Sequence, residues 1–75
     1  MNINGYKHIG ITDGVCDGRP ILLGTRLEPI NIVNYGTIEE SMEDFDLTEE
    51  QVKECFKFID RVIETIEEEY FRNKI

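Results

Sequence analysis

From Glu49 to Arg72 the chain runs 24 residues without a glycine or a proline, and along it Val52, Phe56, Ile59, Ile63, Ile66 and Tyr70 recur at spacings of four and three. That stripe, widened by Cys55 and Val62, is the signature of an amphipathic helix. Thr48 and Gln51 supply a capping box at its start, and Leu47 stands where a hydrophobic staple to Val52 is expected. At ~1.5 Å per residue such a helix reaches roughly 36 Å. A globule made from all 75 residues has a diameter near ~30 Å. The helix is therefore expected to overhang its own domain. Its distal residues Ile66, Tyr70 and Phe71, flanked by Glu67, Glu68 and Glu69, become a candidate contact surface for a second chain on a seam of nearly heptad spacing.

Upstream, Thr37-Ile38-Glu39-Glu40 repeats the capping device and opens a helix over residues 38–45, with Ile38, Met42 and Phe45 on one face. Pro29 at a first helical position and Gly36 at a C′ position bracket another helix over residues 29–35. Ahead of it, apolar residues alternate at Ile9 and Ile11, the turn dipeptides Asp13-Gly14 and Asp17-Gly18 follow, and Pro20 leads into the apolar run Ile21-Leu22-Leu23. Pro20 cannot donate to a ladder and belongs at a strand start or an edge. These signals predict a single, mainly α domain over residues 1–75. A short β-hairpin-like segment (8–27) is followed by three helices (29–35, 38–45 and 49–72) in a helix-turn-helix-like arrangement that ends on the long one.

Charge narrows the partners. Residues 1–37 hold three acids and three bases, whereas residues 38–75 hold thirteen acids against five bases, so the whole net charge of −8 belongs to the second half. Such a half repels phosphate backbones and suits a cationic protein. The N-terminus has neither the basic start nor the apolar run of a signal peptide, and no stretch approaches the ~20 apolar residues of a membrane span. The expected location is the cytoplasm. Cys16 and Cys55 lie 39 positions apart without the companions of a zinc or redox motif, and are read as reduced thiols.

Catalytic machinery is not evident. The one histidine, His8, and the one serine, Ser41, leave little from which to assemble an activated nucleophile. The carboxylates fall in helical runs that read as solvated faces. No catalytic residue, cofactor site or metal site is expected, and the chain reads as a non-enzyme. The segment Gly18 to Thr25 has too many residues between its glycines, and no lysine, for a phosphate-binding loop.

Ile9, then Gly18-Arg19-Pro20 and Gly24-Thr25-Arg26-Leu27, resemble the opening of the domain-of-unknown-function 433 family. Gly36, Glu39-Glu40, Asp44-Phe45, Leu47-Thr48 and Val52 resemble that family's second signature, so the likeness covers roughly Ile9 to Phe58. It implies a small helix-turn-helix-like fold, and some family members resemble antitoxins that neutralise a PIN-like ribonuclease. The residues Gly18, Arg19, Pro20, Gly24, Thr25 and Arg26 are expected to shape turns, with Arg26 holding the β segment against the first helix. The expected function is a protein-binding module, of antitoxin type, that also self-associates. The alternatives are a helix-turn-helix-like DNA-binding regulator and a structural homodimer. Glu49 and Glu50, at the start of what would be the recognition helix, count against DNA.

Overall fold

The structure, a computed structural model, describes the backbone of residues 2–73 and the side chains of residues 2–69. Two short antiparallel strands, β1 (Ile9–Gly10) and β2 (Ile21–Leu22), pair Ile9 with Leu22 and Gly10 with Ile21. Three helices follow: α1 (Pro29–Tyr35), α2 (Ile38–Phe45) and α3 (Glu49–Asn73). The chain is thus mainly helical behind an N-terminal hairpin and ends on a long helix, in the element order the sequence predicts.

Each helix start has a visible cause. Pro29 sits in the first turn of α1. At α2 the Thr37 hydroxyl accepts from the Glu40 N–H at 3.2 Å, while the Glu40 carboxylate accepts from the Thr37 N–H at 3.1 Å. At α3 the Thr48 hydroxyl and the Gln51 side chain repeat that exchange at 3.2 and 2.8 Å. Between α2 and α3 the chain turns at Asp46, which adopts left-handed angles, and the Leu47 N–H returns to the Met42 carbonyl at 3.0 Å.

Two local expectations are corrected. Gly36 is extended rather than left-handed (φ 171°), so it does not close α1 as a C′ glycine. Its lack of a side chain instead makes room for Glu40, because a Cβ there would lie 3.1 Å from a carboxylate oxygen already committed to the capping box. Ile11, expected to share a face with Ile9, is 40% exposed whereas Ile9 is fully buried, because β1 ends at Gly10. The N-terminus also adds a pairing that the sequence did not signal. Asn2 bridges Gly10, and the Ile3 N–H donates to the Ile9 carbonyl at 2.9 Å.

The core joins every layer. Tyr6 and Ile9, Leu22 from β2, Ile32 from α1, Leu47, and Val52 and Cys55 from α3 form one buried cluster, with Ile38, Met42 and Phe45 of α2 packed against it. Tyr6 meets Phe58 edge to face at 5.2 Å. Cys55 behaves as a packing residue: burial pushes its thiol from 9.0 up to about 12, so it stays protonated at neutral pH. On α3 burial stops abruptly. Ile59 is half-buried, and residues 60–69 are exposed. The longest dimension of the molecule is 45 Å against 29 and 20 Å across.

Ser41 faces the interior of α2 with its side chain fully buried, and its hydroxyl has no hydrogen-bond partner among the described residues. A buried unpaired hydroxyl costs free energy, and alanine is also the better helix former. Ser41→Ala is therefore expected to stabilise the fold by about 1 kcal/mol, raising the urea midpoint without changing the slope. A destabilised variant would show that the hydroxyl is paired.

Candidate functional site

The residues Gly18-Arg19-Pro20 and Gly24-Thr25-Arg26 build the connections on either side of β2. Cys16, Asp17 and Gly18 have φ values of 49°, 56° and 77°, a left-handed turn that costs about 1–2 kcal/mol for each non-glycine residue. Side-chain contacts tether it. The Cys16 thiol donates to the Arg26 carbonyl at 3.4 Å. Arg19 forks onto Glu28, the residue preceding α1, at 2.7 and 3.4 Å, and lies 3.7 Å from Asp17. At the second element Gly24 has φ 84°, and the Thr25 hydroxyl donates to the Leu22 carbonyl at 2.7 Å while accepting from the Leu27 N–H at 3.0 Å. Arg26 does not tie the β segment to α1 as expected. Its side chain is exposed and its contribution here is its carbonyl, while Arg19 makes the connection.

The expected partner surface lies on the exposed end of α3. Val62, Ile63 and Ile66 are 37%, 47% and 60% exposed, although an apolar stripe of this kind is normally covered. Glu64, Glu67, Glu68 and Glu69 are exposed along the same stretch. The side chains of Tyr70 and Phe71, assigned to the same surface by the sequence, lie outside the described residues.

A third grouping was not foreseen. Glu54 accepts the backbone N–H groups of His8 at 2.9 Å and Lys7 at 3.3 Å, clipping the start of the β segment onto α3. That clip places His8 Nε2 3.4 Å from Glu50 Oε1, and one ligand atom from each of His8, Glu50 and Glu54 lies within 4.8 Å of the others. The four-residue spacing of Glu50 and Glu54 on one helix is visible in the sequence. The approach of His8, more than forty positions away, is a tertiary event with no local signal.

Arg19→Gln is expected to lower the melting temperature more than Arg26→Gln, because Arg19 carries the side-chain link to Glu28. Equal effects in thermal denaturation at moderate salt would remove that assignment.

Comparison with known proteins adds one finding. A family described as "Protein of unknown function (DUF433)" matches residues 9–59, about two thirds of the 75-residue chain. No curated protein and no solved structure matches it. The matched segment begins in β1 and ends at Ile59, the point on α3 where burial ends. The chain belongs to the DUF433 family.

Proposed function

We propose that this protein is a non-catalytic protein-binding module, the antitoxin component of a toxin–antitoxin pair that neutralises a PIN-like ribonuclease in the cytoplasm. The observation that carries the proposal is the distal half of α3, where Val62, Ile63 and Ile66 are exposed beside Glu64, Glu67, Glu68 and Glu69. A ribonuclease must present positive charge where it holds RNA. An acidic helix is steered to such a surface from a distance, and apolar anchors then hold it once water is expelled. The docked helix would block RNA by occupying its path, with no reaction required. The same apolar seam suits self-association, so a homo-oligomer that presents two acidic helices fits this reading.

The DNA-binding alternative has the right element spacing in α2 and α3 but the wrong charge. Glu39 and Glu40 lie in the first turn of α2, and Glu49 and Glu50 in the first turn of α3. Lys53, the first base on α3, is drawn onto Glu49 at 2.6 Å, which draws that carboxyl's pKa below its usual value and raises that of the lysine. A helix entering the major groove with this end would bring carboxylates to phosphates.

Affinity capture of the tagged protein from its native cells, with and without nuclease treatment, tests the proposal. Recovery of a basic PIN-like protein in both arms is expected, with the yield falling more than about ten-fold when Glu67, Glu68 and Glu69 are replaced by lysine. Recovery that depends on intact nucleic acid, or tight binding of the unaltered protein to duplex DNA at physiological salt, would contradict it.

A further inference from the structure

We propose that His8, Glu50 and Glu54 form a binding site for a divalent transition-metal ion of the zinc class. The three side chains come from the segment just before β1 and from α3, and they supply one nitrogen and two oxygen donors within 4.8 Å of each other. Imidazole with carboxylates suits zinc, cobalt and related ions, and three protein ligands leave further positions for water or a partner's side chain.

The distances favour a shared ion over a simple pair. His8 Nε2 has essentially no solvent contact and no hydrogen-bond partner among the described residues. Its nearest carboxylate oxygen, on Glu50, is 3.4 Å away. That is long for a good N–H···O bond, which falls at about 2.7–3.2 Å. It equals the separation of two ligand atoms around a tetrahedral ion with bonds of about 2.1 Å, which works out at roughly 3.4 Å. The ring nitrogen thus faces carboxylate at ligand spacing, with its lone pair available in the neutral form.

The supports are also in place. Glu54 is fixed by the His8 and Lys7 backbone N–H groups, and each carboxylate oxygen keeps a further lone pair for a metal. Glu50 lies one helical turn away with a side chain 61% exposed, so it can swing the short distance needed to close the set. Two neighbouring cations on α3 are occupied elsewhere. Lys53 Nζ pairs with Glu49 at 2.6 Å, and Lys57 lies over the Tyr6 ring at 6.0 Å. A bound ion would lock the start of the β segment to α3 and stabilise the native state by mass action.

The site lies on the proximal, core-bound part of α3, apart from the distal residues assigned to a protein partner. Its test is therefore independent of that assignment. Chelator-stripped full-length protein is titrated with Zn2+ by calorimetry and with Co2+ by visible absorption. The expected result is one equivalent per chain, with cobalt d–d bands but no thiolate charge-transfer band, and a melting temperature that rises with zinc. Loss of even an outer-shell partner costs about 10–100-fold in affinity. His8→Ala and the surface substitution Glu50→Gln should each weaken binding at least ten-fold. The joint replacement of Glu67, Glu68 and Glu69 by glutamine should leave it unchanged. Binding that survives both His8→Ala and Glu50→Gln, or that is lost with the distal glutamates, would show diffuse attraction to an acidic surface and overturn the site.

Discussion

Val52 and Cys55, adjacent on one face of α3 and both fully buried, are the contact on which the other elements converge. Full burial of a side chain such as valine is worth about 1.5–3 kcal/mol, a large fraction of what keeps a small domain folded. Leu47 closes over the same face just before α3 begins, so the turn after α2 is fixed by what it buries as well as by its capping box. Ile32 brings α1 to this surface, and Ile9 and Leu22 bring the two strands. Two residues of strand on each side could not persist alone. They persist here because the Glu54 carboxylate captures two N–H groups of the incoming chain and because their apolar residues share a core with a helix.

That arrangement uses α3 unequally. Its first half provides the platform on which the domain is assembled, whereas its second half carries the same apolar periodicity with Ile63 and Ile66 about half exposed or more. Isolated helical stretches of this length are marginal in water, so the distal half draws its stability from the proximal half and from whatever packs on it. In the proposed function, partner binding would follow from leftover amphipathicity on a helix too long for its domain, and the negative charge along the same stretch would favour a cationic partner.

The sequence was most informative where local physics decides the outcome. Both capping boxes, the proline at the start of α1 and the three helices could be read from residue type and spacing, and so could the overhang, from length alone. What escaped depended on contacts between distant segments. Gly36 looked like a helix terminator, but its role is to leave space for Glu40. Each motif element carries one arginine, Arg19 directly after its glycine and Arg26 two positions after, and no local signal says that Arg19 is the one within reach of Glu28. The pairing of Asn2 and Ile3 with β1, and the meeting of His8 with Glu50 and Glu54, likewise required the fold. On the distal surface Ile66 and Glu67, Glu68 and Glu69 are exposed.

Amide hydrogen exchange along α3, measured on the free chain at low concentration and on the complex isolated from cells, tests the division of this helix most directly. Strong protection of residues 52–59 is expected in both samples, with rapid exchange of residues 62–69 in the free chain that slows markedly in the complex. Equal protection of the two halves in the free chain, or a distal half that exchanges no more slowly in the complex, would contradict it.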